Sequence, residues 1–126
     1  MQPFETAQNR IIERYGSLVD NEGKFSEKIK KPLKQSFRIN TLKGDENRIL
    51  KKLKNYDSNI ESVPWNNKGY VSELTNLGSS LEHFTGQIYI QELTSMIPPL
   101  VAKDVIGENT ILDCCAAPGS KTTQMA

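Results

Sequence analysis

The chain has 126 residues, 37% of them hydrophobic and 25% charged, which fits one small folded domain and excludes disordered and membrane-spanning classes. Its longest apolar stretch, 96–102, is broken by Pro98 and Pro99 and falls far short of the ~20 residues that cross a bilayer. The net charge of +1 is unevenly spread: Met1–Ser58 holds 13 Lys and Arg against 8 Asp and Glu, whereas the remainder holds 3 against 7. A basic first half points to a polyanionic partner.

The opening residues, Met1-Gln-Pro-Phe-Glu-Thr6, lack the basic and apolar pattern of a secretory leader. Phe4, Ala7, Ile11, Tyr15 and Leu18 recur at three- and four-residue spacing, which predicts an amphipathic helix over 5–15 that stops at Gly16. Asp20–Gly23 reads as a turn. Phe25–Lys34 is ambiguous: Phe25 and Ile29 can share a helix face, and Pro32 would end it. Ser36–Asn40 alternates strictly, so a strand is expected with Phe37 and Ile39 toward a core and Ser36, Arg38 and Asn40 on the opposite face. A second helix, about 45–56, would bury Ile49, Leu50 and Leu53. Short strands at 60–63 and 69–72 flank a turn at Pro64–Lys68. The stretch 77–84 has no clear pattern. A strand at 87–90 precedes a helix at 91–102, which the two prolines should bend or break.

Thr110–Leu112 reads as a final short strand ending at Asp113. A loop of small residues follows, Cys114-Cys-Ala-Ala-Pro-Gly-Ser120, and then a helix-compatible Lys121-Thr-Thr-Gln-Met-Ala126. A strand, tight loop and helix start in this order offer backbone amides to a charged ligand. Neither a GxGxxG nor a GxxxxGK[ST] pattern is present. Cys114 and Cys115 are the only cysteines; adjacent in sequence, they make a poor disulfide and lack zinc spacing. No metal is expected, and the expected setting is the reducing cytoplasm.

The loop resembles that of the Sun/Fmu-type (nucleolar-protein) RNA cytosine-C5 methyltransferases, whose pattern is Asp-x-Cys-Ala-Ala-Pro-Gly-Gly-Lys-Thr. Here it runs Asp113-Cys-Cys-Ala-Ala-Pro-Gly-Ser-Lys-Thr122, with Ser120 replacing the second glycine. Further segments are similar to that family in the same order: Phe37-Arg-Ile-Asn-Thr-Leu-Lys43, Val63-Pro-Trp65 with Gly69-Tyr70, Leu81-Glu-His-Phe84, and Gly86–Met96. The likeness is greatest to the archaeal enzymes and begins near Phe37.

The resemblance implies the N-terminal portion of an α/β enzyme that moves methyl from S-adenosylmethionine to carbon 5 of a cytosine in tRNA or rRNA. In that chemistry a cysteine thiolate adds to carbon 6 of the base, so that carbon 5 becomes nucleophilic. The working cysteines of the family lie in Pro-Cys and Thr-Cys motifs downstream, so the nucleophile is expected beyond Ala126. Cys115 matches the cofactor-loop cysteine, and Cys114 a small buried strand residue. Cys115, Ala116, Ala117, Pro118, Gly119, Ser120 and Lys121 are the expected cofactor residues; Arg38, Asn40 and Lys43 are the expected RNA-facing ones. Trp65 and Tyr70 could stack on bases or belong to a core. Gln91 and Glu92 should orient the loop, and His83 should be structural. The expected organisation is an RNA-binding α+β unit over 1–80 and the start of a Rossmann-like domain over 81–126, in a monomer without metal or membrane. The alternative is a non-catalytic RNA-binding or regulatory module.

Overall fold

The computed structural model describes the backbone of residues 3–126 and side chains from Ala7 onward. Phe4, the first residue of the expected helix face, lies outside the described side chains. The chain forms two compact units, Met1–Leu33 and Lys34–Ala126. In the first, helix α1 (Pro3–Tyr15) ends before a buried Gly16 and a single tight turn. The ambiguous stretch resolves into helix α2 (Glu22–Lys30), which begins earlier than its apolar residues suggest because the Asn21 side chain caps it, accepting from Lys24 N–H at 2.8 Å. Gln8 donates to the Ile29 carbonyl at 2.9 Å and ties the two helices together.

The second unit is built on an antiparallel sheet of four strands in the order β2-β3-β1-β4. The strands are β1 (Gln35–Ile39), β2 (Glu61–Val63), β3 (Asn66–Ser72) and β4 (Ile88–Ile90). β1 is central, pairing Arg38 with Gly69 on one side and with Tyr89 on the other. The expected Pro64–Lys68 turn is tighter in fact. Val63 pairs with Asn66, so only Pro64 and Trp65 turn the hairpin and Asn66–Lys68 join β3. β4 and the short helix α4 (Leu81–Phe84) lie past residue 80, yet β4 completes the sheet through β1.

One face of the sheet carries the core. Phe37 and Ile39 pack there with Ile49 and Leu53 of helix α3 (Glu46–Leu53), with Tyr70, and with Leu77 and Ile88. Burying each of the large aliphatic or aromatic side chains contributes about 1.5–3 kcal/mol. Asp45 caps α3 by accepting from Arg48 N–H at 2.9 Å. Behind α3, the buried Asp57 accepts from the Ser72 hydroxyl, from Asn59 N–H at 2.8 Å and from Glu73 N–H at 3.1 Å. These bonds, the Ser72 hydroxyl foremost, hold its carboxyl below the usual carboxylate range.

The opposite face, expected to be polar, is polar and also covered. Helix α5 (Leu93–Ile106) lies against β3, with Met96 fully buried. Pro98 and Pro99 do not break it. A proline at 99 removes the amide that would bond the Ser95 carbonyl, and the Gln91 side chain donates to that carbonyl instead, at 3.0 Å.

The final strand expected at 110–112 is not formed. No strand of the sheet pairs with these residues, and an unpaired segment cannot satisfy a ladder; Leu112 is 85% exposed. Cys114 is accordingly exposed rather than buried. A short helix α6 (Thr122–Met125) closes the described chain. Among the described residues no helix is long and apolar enough to cross a membrane.

Candidate functional site

Cys115–Lys121 form an open loop shaped from within by Asp113. Its carboxylate accepts from Cys115 N–H at 3.0 Å and from the Thr122 hydroxyl at 2.6 Å, which closes the loop at its base. The Thr122 hydroxyl and then the Cys115 amide hold this carboxyl below its ordinary range against the opposing effect of burial, and the Lys121 charge adds a smaller contribution in the same direction. Gly119 sits at φ 104°, a conformation that side-chain-bearing residues rarely adopt. The Ala117–Pro118 peptide is cis. The amides of Gly119, Ser120 and Lys121 have no protein acceptor among the described residues. Small side chains and three unclaimed donors suit a carboxylate such as that of a methionine moiety, so the residues fit the expected cofactor.

The loop is held from the sheet. Tyr89, on β4, donates its hydroxyl to the Pro118 carbonyl at 3.2 Å. Arg38, on β1, donates from Nη2 to Thr123 Oγ1 at 3.0 Å, and that hydroxyl donates to the Gly119 carbonyl at 2.7 Å. Gln91 fixes the arrangement from below. Its backbone amide donates to the Ser36 carbonyl at 3.1 Å, its side-chain amide donates to Gln124 Oε1 at 2.9 Å, and Gln124 donates in turn to the Met96 carbonyl at 2.9 Å. Gln91, expected to orient the loop, bonds Gln124 of α6 and makes no hydrogen bond to Cys115–Lys121; Glu92 precedes α5 and makes no capping bond.

The expected RNA-facing residues are placed differently from one another. Arg38 is 5% exposed, covered by Thr123 and lying over the Tyr89 ring at 5.9 Å. Burial lowers its pKa, and no carboxylate pairs with it among the described residues. Asn40 is half-buried and structural in its contacts, donating to the Gly86 carbonyl at 3.0 Å and accepting from Leu42 N–H at 3.2 Å. Lys43 is exposed at the turn that follows. Tyr70 belongs to the core. It stacks on Phe37 with centroids 5.6 Å apart and donates to Glu46 at 2.6 Å, and burial and the Glu46 carboxylate push its pKa up to about 12. Trp65 is exposed at the hairpin tip. His83 lies in α4, its Nδ1 buried.

A cleft of about 360 Å³ opens beside α6. Arg38, Lys68 and Lys103 are the charged side chains that line it, with Asn40, Asn66 and Gln124. Cys115–Lys121 lie outside it. Tyr89, Thr123 and Gln124 had no individual signal in the sequence, and Asp113 stood out only as the first residue of the loop motif.

The model of the N-terminal domain of 16S rRNA methyltransferase RsmF matches residues 8–93. The chain belongs to this family. Among its relatives, the tRNA (cytosine(49)-C(5))-methyltransferase of Pyrococcus abyssi is 43% identical over 129 aligned positions, covering 99% of the chain and 40% of the relative. The ribosomal RNA small subunit methyltransferase F of Shewanella woodyi is 43% identical over 102 positions, covering 76% of the chain and 21% of the relative. The crystal structure of a methyltransferase homolog protein from Pyrococcus horikoshii superimposes with a TM-score of 0.71 at 30% identity, over 100% of this chain and 44% of that one. The chain thus spans less than half the length of each of these proteins. Among the described residues no group of three or more His, Cys, Asp or Glu is placed to hold a metal.

Proposed function

We propose that this chain is the N-terminal part of an RNA cytosine-C5 methyltransferase that uses S-adenosylmethionine and acts on tRNA or rRNA. The observation that carries the reading is the loop Cys115–Lys121: it fits the cofactor's carboxylate and lies in a chain 43% identical, over 99% of its length, to a tRNA cytosine-C5 methyltransferase. In this reading residues 1–80 serve RNA binding and 81–126 begin the catalytic domain. S-adenosylmethionine, when bound, supplies an electrophilic methyl group.

The chain's own residues then have defined tasks. The amides of Gly119, Ser120 and Lys121 receive the carboxylate, and Asp113 keeps the loop closed. The side chains of Ala116, Ala117 and Ser120 leave room for close approach. Lys121, exposed beside the loop, is free to reach toward substrate. Lys43 is the RNA-facing residue whose exposure supports that role, and Asn40 shapes the turn that presents it. Cys114 and Cys115 serve the loop rather than the nucleophilic step, which belongs to a cysteine outside these residues. The reading includes a metal-free monomer working in the cytoplasm.

The test is methyl transfer by the full-length protein. Purified enzyme, tritiated S-adenosylmethionine and separate tRNA and rRNA transcripts should yield 5-methylcytosine in one of them, read by nucleoside mass spectrometry. Label on a base other than cytosine, or none on either RNA, would refute the proposal.

A further inference from the structure

We propose that Arg38 and Tyr89 are positioning residues for the loop Cys115–Lys121, setting its amides toward the cofactor rather than contacting RNA. The inference rests on the reading of that loop as the S-adenosylmethionine site. Its basis is a pair of consecutive carbonyls. Pro118 and Gly119 both have their oxygens held from within the fold: Tyr89 Oη donates to the first at 3.2 Å, and the second accepts from Thr123 N–H at 2.9 Å and from the Thr123 hydroxyl at 2.7 Å, which Arg38 in turn bonds at 3.0 Å. In a trans peptide the carbonyl of one residue and the amide of the next point in opposite directions. The two peptides in question are trans, the cis bond being the one before Pro118. Holding these two carbonyls inward therefore turns the Gly119 and Ser120 amides outward, the direction a ligand must come from.

The two side chains act as one device. Arg38 and Tyr89 are direct partners across β1 and β4, and the guanidinium lies 5.9 Å from the ring centroid. Both strands belong to the sheet, so the loop is held from its paired backbone. A charged donor strengthens the first link of the relay, since a guanidinium bond to a hydroxyl is stronger than a neutral one. A solvated RNA contact would need Arg38 at the surface, whereas it is buried and covered by α6.

The experiment uses the full-length protein with Tyr89→Phe, Arg38→Met and Arg38→Lys. Tyr89→Phe removes one hydroxyl and leaves the ring, so it keeps the test valid if Arg38→Met fails to fold. Three quantities are read: the dissociation constant for S-adenosylmethionine, that for tRNA, and hydrogen exchange of peptides covering 113–125 and 35–39. Tyr89→Phe and Arg38→Met should each weaken cofactor binding about 5- to 10-fold, the value of one hydrogen bond. Exchange should quicken over 113–125 only, tRNA affinity should hold, and Arg38→Lys should restore part of the loss. Weaker tRNA binding with unchanged cofactor binding would overturn the proposal, as would exchange that quickens equally in 35–39. If the wild-type protein binds no S-adenosylmethionine, the cofactor reading falls and this inference with it. Loop exchange in the variants would then show that the failure lies in the reading and not in the contacts.

Discussion

Replacing Gly69 by alanine sets a Cβ 2.9 Å from Asn66 Nδ2, 3.1 Å from Asn66 Cγ and 3.2 Å from Met96 Sδ. Both neighbours are buried, Asn66 at 2% exposure and Met96 fully, and only Asn66 borders the cleft. Asn66 is also engaged, donating to the Met96 sulfur at 3.2 Å and accepting from Lys68 N–H at 3.1 Å. Overpacking of this kind costs about 1–3 kcal/mol, and loss of the Asn66 bonds places the expectation at about 2 kcal/mol. Urea unfolding followed by circular dichroism reads it as a lower midpoint at an unchanged slope. Repeating the substitution on an Asn66→Ala background isolates the cause, because alanine at 66 removes the closest atoms. The cost of Gly69→Ala should then shrink by half or more. A cost that stays the same on both backgrounds, or one below about 0.5 kcal/mol on the first, would refute the argument from close approach.

Gln91→Met should destabilise the protein by about 1–3 kcal/mol, since it leaves the Ser95 carbonyl without the donor that replaces the missing proline amide; a urea midpoint equal to wild type would mean that α5 does not need this donor. Asp57 has a folded-state pKa below its ordinary value of 3.8, so its contribution is complete above that value and is lost as pH falls through the folded one. Stability measured from pH 7 to pH 3 should therefore decline most steeply at the acid end, and Asp57→Asn should flatten that decline; an unchanged profile in the variant would refute the assignment. Gly119→Ala should cost about 1–3 kcal/mol through its backbone conformation, as its Cβ would meet nothing nearer than 3.9 Å. Exchange over 113–125 should quicken while the main thermal transition holds, and a slower loop would contradict the strain argument.

Helices α1 and α3 and the central strand were legible because their signals are local, whereas α2 and α4 were not. Alternation at Ser36–Asn40 specified β1, and Asp45 before Ile49, Leu50 and Leu53 specified α3. What alternation cannot say is whether the polar face meets water or another element. Arg38 and Ser36 look like solvated residues in the sequence, yet both are buried, Arg38 against Thr123 of α6 and Ser36 against the Gln91 carbonyl. The prolines in α5 misled for the same reason, since the donor that rescues Ser95 comes from Gln91, ahead of the helix. The strand expected at 110–112 failed because a strand is a property of pairs, and no partner pairs with it. The loop motif was the most informative part of the sequence, but its supports were not: Tyr89 and Thr123 matter only through contacts that reach across the chain.

The bond between Arg38 and Thr123 joins residues 85 positions apart. At roughly 5–20 residues per second, a ribosome lays down the guanidinium several seconds before its hydroxyl partner exists. During that interval the central strand must close against its neighbours around an unattached cation, and hydration of that cation opposes premature collapse of the polar face. The arrival of the segment that carries Thr123 ends this state for Arg38. A defect at Thr123 would then reveal itself in newly made protein, as a species with a finished sheet and an open polar side, before any effect on the mature molecule could be seen.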